Sequence, residues 1–434
     1  MLIRWNQRYV LESYLKSSLW VVPFFAIPLA LISVRGLERL DAWLGWRLLG
    51  FEAAGAQTLL AAFVSATLAF VVFTFGSLLV AIQVASAQMT PRIIATTLLR
   101  NDVVKYTVGL LIFTFMFALG TQNRQDKQVD QLLVLVAILL GILSFAAFFY
   151  LIDYASRLLR PVSILTRVGD EGIAVIETVY PNPSSGPVKN SRPFKLAAPD
   201  RTVRCRGASG IILAVKVRRL MEKAESADGV IEFVPQVGDF VSIDDPLFNL
   251  FGGAASIKEN DLHALVAFGS ERTMDQDPTF AFRIAVDIAL KALSPAINDP
   301  TTAVLAIDQL QRMLRVVGKR DLRTDEILDK SGKLRVIVRT PNWDDFVHLA
   351  IREIRVCGSN NLQIVRRLRA MLGNLLQTLP EYRHPALLQE LSLLDREIAK
   401  HFIYPEDVAL ARIGDTQGLG VHSPKDSLPE RLGR

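Results

Sequence analysis

Two short and similar segments carry most of the side chains in this chain that could do chemistry. Asp277-Pro278-Thr279 is followed 22 residues later by Asp299-Pro300-Thr301. In each, the Asp can accept hydrogen bonds from the first N–H groups of a helix and the proline fixes φ at the first helical position, so both predict helix starts. The polar side chains around these starts could bind a cation or a small ligand: Glu271, Arg272, Asp275, Asp277, Ser294, Asn298 and Asp299.

Two interpretations of these polar side chains remain open. In the first they only cap helices, and Arg272 pairs with a carboxylate or binds helix-terminal carbonyls. In the second they bind a small ligand or cation, or form an interface that reports on the state of a membrane. Capping is favoured, because Asp followed by Pro is a strong helix-start signal in itself.

Hydrophobic spacing predicts the elements that hold these side chains. Phe280, Ile284 and Ile288 recur every fourth residue, as on the core face of a helix, and 294–298 would join this helix to the next one. The sequence therefore predicts a helical hairpin. Beyond it the pattern predicts a strand over 333–340 and helices over 344–357, 362–379, 385–402 and 405–412.

Common catalytic motifs are missing from the sequence. It has no phosphate-binding Gly-rich loop, no dinucleotide fingerprint, no Gly-x-Ser-x-Gly and no His-Glu-x-x-His. The histidines are dispersed, and Asp344 with His348 is their only metal-compatible spacing, more typical of an exposed helix pair. We therefore expect no enzyme activity, no bound metal and no cofactor.

A long uncharged segment predicts an integral membrane protein. Residues 53–91 form a run of 39 residues without a charge, roughly 58 Å as a helix against a hydrocarbon core of about 30 Å. Such a helix would project from the membrane or break near Gly76. Further apolar spans at 20–34, 106–123 and 131–152 bring the predicted number of transmembrane helices to four.

Four polar side chains of the long second span fall within about 60° of one another on a helical wheel: Ser65, Gln83, Ser86 and Thr90. Packing against other helices is the favoured role of such residues, and lining of a polar pathway is the alternative. Because no ionisable residue lies deep in any span, a passive channel is a better expectation than an ion-coupled pump.

The distribution of charged residues predicts the orientation of the protein in the membrane and its partners. Nine Lys and Arg flank the spans on one side and five on the other, so both termini are predicted to be cytoplasmic. Most tryptophans are expected to be interfacial anchors: Trp5, Trp20, Trp43 and Trp46. Residues 161–434 are nearly neutral, with 36 basic against 35 acidic side chains, so nucleic acid is not an expected partner. The basic excess lies in residues 1–160, with 13 basic against 8 acidic side chains, and it can also favour anionic lipid headgroups as a partner.

Composition and hydrophobic pattern divide the whole chain into four predicted parts. Residues 1–160 form the predicted four-span domain, 161–258 a β-rich cytoplasmic module, 259–413 a helical domain and 414–434 a disordered tail. The module is predicted to open with a strand at 173–179 and to contain a small barrel-like set of strands. Its Val237-Gly238-Asp239 segment weakly resembles biotinyl and lipoyl carriers, but no lysine occupies the carrier position.

Several segments resemble the bacterial predicted membrane proteins of domain of unknown function 2254. The similarity lies in 269–278, in 292–303, and in 75–77, 82–83 and 88–92 of the second span. Ala281 and Ala296 stand where glycine is expected in that pattern. The resemblance implies a four-span membrane domain and a cytoplasmic domain in a bacterial inner membrane. It does not point to any particular activity.

The sequence therefore predicts a membrane α-helical domain of four transmembrane helices plus a cytoplasmic α+β domain, with a barrel-like module and a helical bundle, in a homo-oligomer. Two functions stay open. One is an oligomeric channel or passive transport protein, gated by the cytoplasmic domain and slightly favoured by the overlong helix. The other is a membrane-anchored sensor or scaffold that binds a cytoplasmic partner.

Overall fold

The computed structural model describes residues 5–44, 52–88, 101–123, 130–158, 160–184, 186, 198–322 and 325–420. The chain divides into two compact units. We name Ser13–Ser163 the helical unit, and Met1–Glu12 together with Ile164–Arg434 the mixed unit. The first boundary falls within helix α1, Trp5–Ser17.

Four helices of the helical unit are long and apolar enough to cross a membrane, as predicted. They are α2 (Val21–Leu44), α3 (Ala53–Gln88), α4 (Asp102–Gln122) and α5 (Gln131–Leu158). Helix α3 runs unbroken through Gly76, so of the two predicted forms of this segment the continuous helix is confirmed. Residues 89–91 of the predicted span lie outside the described residues.

Small residues bring the helices of this unit together. A Cβ added at Gly141 of α5 would lie 2.3 Å from the Phe63 ring of α3, and one at Gly109 of α4 would lie 2.6 Å from Val22 of α2. Such close approach is typical of helix packing in membranes, where lipid tails compete equally for apolar surface. Ser144 of α5 and Thr114 of α4 add a buried hydrogen bond of 2.9 Å.

The mixed unit contains two sheets. Their strands are β1 (Arg201–Arg204), β2 (Gly210–Val215), β3 (Gly229–Phe233), β4 (Phe240–Val241), β5 (Pro246–Gly252), β6 (Val266–Gly269), β7 (Glu326–Leu328) and β8 (Leu334–Val338). The five-stranded sheet has the order β1-β5-β3-β8-β7, and the three-stranded sheet has the order β4-β2-β6. Both are open among the described residues, so the predicted strands are present but the barrel-like module is not confirmed.

A predicted strand proves to be helical. Residues 173–179 end helix α6, Pro161–Val179. Ile164, Val168, Gly172 and Ile176 are buried at a spacing of four residues, which is a helical period. The short apolar run at 173–179 looks like a strand only when it is read without the residues before it.

Most of the remaining helices agree with the predicted pattern. The full set is α7 (Val217–Ser226), α8 (Glu259–His263), α9 (Pro278–Ala292), α10 (Pro300–Gly318), α11 (Trp343–Gly358), α12 (Leu362–Thr378), α13 (His384–His401) and α14 (Pro405–Ala411). Helices α9 to α14 agree with the predicted pattern, whereas the short helix α8 was not predicted. Strand β8 pairs in parallel with β3 through Ile231 and Val336, which joins the C-terminal half to the earlier strands. Helices α9 and α10 form the predicted hairpin.

The start of the predicted disordered tail is ordered. Asp415 is 4% exposed and accepts hydrogen bonds from the backbone N–H groups of Gln417, Gly418 and Gly420. Arg366 of α12, itself buried, donates to the carbonyls of Ile413 and Gly420. Residues 414–420 therefore fold against α12, and 421–434 lie outside the described residues.

Candidate functional site

The two Asp-Pro-Thr segments cap helices, as predicted. Asp277 Oδ1 accepts a hydrogen bond from the Thr279 N–H at 3.0 Å, at the start of α9. Asp299 Oδ1 accepts one from the Thr302 N–H at 3.1 Å, at the start of α10. Both helices therefore begin where the sequence indicated.

The seven predicted site residues do not meet in one place. Asp277 and Asp299 lie at opposite ends of α9, whose 15 residues span roughly 22 Å. At the far end Ser294 Oγ donates to the Lys291 carbonyl at 2.7 Å, and Asn298 is exposed in the connecting turn with φ of 49°. Ser294 and Asp299 are thus used by hydrogen bonds within the hairpin.

The other four of the seven predicted residues lie at or just before the start of α9. Glu271, Arg272 and Asp275 are exposed there, and Asp275 Oδ2 accepts a hydrogen bond from the Tyr9 hydroxyl at 3.1 Å. Asp277 is only 4% exposed, and its Oδ2 has no hydrogen-bond partner among the described residues. Burial raises the pKa of the Asp277 carboxyl, although Thr279 and the nearby Arg272 guanidinium act against that shift.

A cavity of about 690 Å³ lies beside Asp277, inside the mixed unit. Its walls come from the first turn of α1, the end of α6, the β2–α7 connection, the segment before α9, and the β7–β8 pair. Most of the lining is apolar, with Val179, Val215 and Ile327 among its side chains. A cavity of this volume, apolar with a few polar groups, is typical of small-molecule sites.

Tyr180 adds a second buried polar group to the cavity wall. Its side chain is fully buried, and its hydroxyl lies near Thr340 without a hydrogen bond of normal geometry to any described residue. Burial raises the pKa of Tyr180, and the negative charges of Asp325, Asp277 and Asp345 act in the same direction. The hydroxyl therefore keeps its proton at neutral pH and can donate it in a hydrogen bond.

Trp5 and Lys216 form another part of the lining. The Lys216 ammonium lies 5.3 Å from the centre of the Trp5 ring, a cation–π distance. Trp5 and Tyr9 pack on a small core of Leu213, Ala214 and Ala267 from β2 and β6. The prediction of Trp5 as an interfacial membrane anchor is therefore wrong, because its ring covers a sheet of the mixed unit.

Sequence reasoning found Asp277 but missed the other groups that line the cavity. Tyr180, Lys216 and Trp5 carry no motif, and they are far from Asp277 along the chain. Gln276, whose Oε1 accepts a hydrogen bond from the Val215 N–H at 3.1 Å, lies between two residues that were predicted. The sequence signal that could have identified Gln276 was the unbroken polar run from 275 to 277, which precedes an apolar helix.

The two predicted polar residues of the second span whose side chains the structure describes lie on the outside of the helical unit. Ser65 and Gln83 of α3 are exposed, while the side chain of Ser86 and the whole of Thr90 lie outside the described residues. Thr67 and Thr74 are buried in this helix instead, and Thr67 Oγ1 donates to the Phe63 carbonyl at 2.7 Å. Ser65 and Gln83 therefore do not pack against α4 and α5 of the same unit.

Metal-ligating side chains are not clustered in the described part of the chain. No group of three or more His, Cys, Asp or Glu side chains there could hold a metal ion. His348, of the predicted Asp344–His348 spacing, has its Nε2 atom 2.8 Å from Arg352 Nη2. Cys205 is buried and Cys357 exposed, and both are free thiols.

Four apolar helices of membrane-spanning length, joined to a mixed unit of two open sheets and a helical hairpin, define the class as a multi-pass membrane protein. The chain belongs to the family described as "Predicted membrane protein (DUF2254)", whose model matches residues 16–374. It is 25% identical to uncharacterized proteins of Mycobacterium tuberculosis and Mycobacterium bovis, over 99% of this chain and 84% of each relative. No solved structure matches the chain.

Proposed function

We propose that this protein is a membrane-anchored sensor whose mixed unit binds a small molecule in the cavity beside Asp277. The observation that carries the proposal is that Asp277, which lines a ligand-sized cavity, has one buried carboxylate oxygen without a hydrogen-bond partner among the described residues. The bias of basic residues supports a cytoplasmic position for the mixed unit and both termini. The mycobacterial relatives support a bacterial inner membrane as the location of the apolar helices. The sensed molecule is then cytoplasmic.

The energetics of Asp277 support a ligand. A buried acceptor without a partner costs about 1–3 kcal/mol, and more when the group is charged. Natural proteins retain such groups where another component satisfies them. A ligand donor that reached Asp277 Oδ2 would satisfy it, and Tyr180 is a second buried polar residue of the same cavity lining.

Helix α1 supports a link between ligand binding and the membrane. Trp5, in its first turn, lines the cavity, and Tyr9 is hydrogen-bonded to Asp275. The same helix continues to Ser17, within the helical unit. A ligand that moves Trp5 would therefore act on a helix that leads to the first apolar span.

Native mass spectrometry of the full-length protein in nanodiscs tests this function. The protein is incubated with the small-molecule fraction of a bacterial lysate, as wild type and as Val217→Trp, which narrows the cavity. Val356→Trp, at a residue 63% exposed on α11 and outside the cavity, is the matched control. We expect a small-molecule adduct on wild type and control and its loss from Val217→Trp; an adduct on all three, or on none, contradicts the proposal.

A channel is the second candidate, favoured by the outward position of Ser65 and Gln83 on α3. Polar side chains on the outside of a membrane helix are costly in lipid, so they are better placed against further copies of the chain around a shared path. Ion flux from proteoliposomes tests this, with Gln83→Leu against Val80→Leu, also exposed on α3. Flux that only Gln83→Leu alters, with unchanged assembly, supports the channel; no flux with several ions contradicts it.

A scaffold that binds a cytoplasmic protein through residues 294–302 is the remaining form of the sensor hypothesis. It predicts that replacement of Ser294 and Asn298 abolishes capture of the partner, and retention of the partner contradicts it. The proposal also keeps four further expectations. These are no enzymatic activity, no cofactor, no nucleic-acid binding and an affinity for anionic lipid headgroups.

A further inference from the structure

We infer that the cavity binds a small organic acid with an apolar, ring-sized body and a hydroxyl or amine donor, its acid group at Lys216 and Arg339 and its donor at Asp277. This inference rests on the proposed function, because it names the ligand class of the same cavity.

Two cations of the lining offer a site for an anion. Lys216, Arg218 and Arg339 line the cavity together with the acidic residues Glu326 and Asp277, so it is the pairing of each cation, and not the total charge, that decides. Neither Lys216 nor Arg339 has an ion-pair partner among the described residues, and the Arg218 guanidinium lies 3.8 Å from Glu222 on a largely exposed side chain. Two cations without a carboxylate partner in the described part of the chain, both lining one cavity, are a natural site for a ligand carboxylate.

The buried end of the cavity requires a donor. Asp277 Oδ1 is already used by the Thr279 N–H and hydroxyl, and Oδ2 has no partner among the described residues. A ligand hydroxyl or amine N–H would give Oδ2 the hydrogen bond it lacks. An anion without a donor would leave this atom unsatisfied.

The walls favour a carbon skeleton between the two polar ends. Trp5, Val179, Val215, Pro278, Ile327 and Val338 line the cavity. These side chains offer apolar and aromatic surface but few donors, so a bare inorganic anion would lose hydration without replacement. A planar or aliphatic body gains from their burial.

Three related probes test this class on the full-length protein in nanodiscs, with binding measured by isothermal titration calorimetry. 4-Hydroxyphenylacetate carries the body, the donor and the acid. Phenylacetate lacks the donor, and tyramine replaces the acid with an amine. We expect 4-hydroxyphenylacetate to bind, phenylacetate to bind about tenfold more weakly, and tyramine not to bind.

Variants locate the binding. Lys216→Met keeps the apolar stem beside Trp5 and removes the charge, so it should weaken 4-hydroxyphenylacetate binding by about tenfold or more. Lys291→Met, at an exposed lysine on α9 outside the cavity, is the matched control and should bind as wild type. Asp277→Asn keeps a good helix cap and should abolish the preference for the hydroxyl probe over phenylacetate.

The outcomes separate this inference from the proposed function. Preference for tyramine, equal binding to Lys216→Met and wild type, binding that survives Val217→Trp, or no binding by any probe at millimolar concentration each overturns the ligand class. Any of these results together with a lysate adduct lost in Val217→Trp leaves the proposed function standing. Failure of that adduct experiment overturns the proposed function itself.

Discussion

Gly238 and Asp277 are in direct contact, so that a Cβ added to Gly238 would lie 2.4 Å from Asp277 Oδ2. Gly238 also has φ of 94°, a conformation that side chains rarely adopt. The turn before β4 thus depends on glycine for two separate reasons, and one of them is the carboxylate that we assign to ligand binding.

Gly238→Ala should destabilise the protein more than Gly207→Ala. Both positions have positive φ, but an added Cβ at Gly207 meets nothing within 4 Å. The conformational cost is about 1–2 kcal/mol at each position, and contact with Asp277 should add about 1 kcal/mol or more at Gly238. Thermal unfolding in detergent measures the difference, and equal Tm losses would show that the contact is relieved without cost.

Asp277→Asn should change how stability depends on pH. Burial raises the pKa of Asp277 above its ordinary value of 3.8, so folding favours the protonated form. Its contribution to stability is fully present below pH 3.8 and is lost as pH rises through the raised pKa. Without ligand, the Tm of wild type should therefore fall relative to the Tm of Asp277→Asn from about pH 4 upward. Parallel curves of Tm against pH for the two proteins would be inconsistent with the raised pKa.

Glu390→Gln should be strongly destabilising. Glu390 of α13 is fully buried, and its carboxylate accepts hydrogen bonds from Arg352 at 2.8 Å and from Arg355 at 3.4 Å. Arg355 is itself buried, so loss of the negative charge leaves its cation only the Glu397 carboxylate, 3.6 Å away, at a cost of about 2–3 kcal/mol. Glu12→Gln, in the exposed Arg8–Glu12 pair, is the control and should cost less than about 1 kcal/mol by denaturant unfolding.

Gly141→Ala should weaken the packing of the helical unit. The added Cβ would overlap the Phe63 ring, whereas Gly76→Ala on α3 meets nothing within 4 Å. We expect a loss of about 1–3 kcal/mol for Gly141→Ala and no loss for Gly76→Ala, because alanine is also the better helix former. Addition of Phe63→Leu should restore part of the lost Tm, and no restoration would argue against this contact.

Local signals explain what the sequence predicted well. The helix caps at Asp277 and Asp299 depend on groups within three residues of each Asp, so they are visible without a fold. The four apolar helices could be predicted because the free energy of transferring side chains from water to lipid adds up along each segment. These parts of the fold and one site residue, Asp277, were accessible from the sequence.

Distant contacts explain what it did not predict. Gly172 of α6 lies against Ala281 and Met313 of the hairpin, and this packing helps make 173–179 a helix end and not a strand. Arg366 looks like a solvent-facing residue of α12, but carbonyls about fifty residues later accept its hydrogen bonds. The cavity joins segments from Trp5 to Pro341, so no window of sequence contains it.

Helix α1 also fixes an order of events during synthesis. Tyr9 is made early, but Asp275, its hydrogen-bond acceptor, follows 266 residues later. At a translation rate of about 5–20 residues per second, the first helix waits roughly 13–53 s for its place in the mixed unit. Within that interval all four apolar helices are synthesised, so they are available for membrane insertion before the mixed unit can close, and a nascent chain arrested before residue 275 would lack this bond.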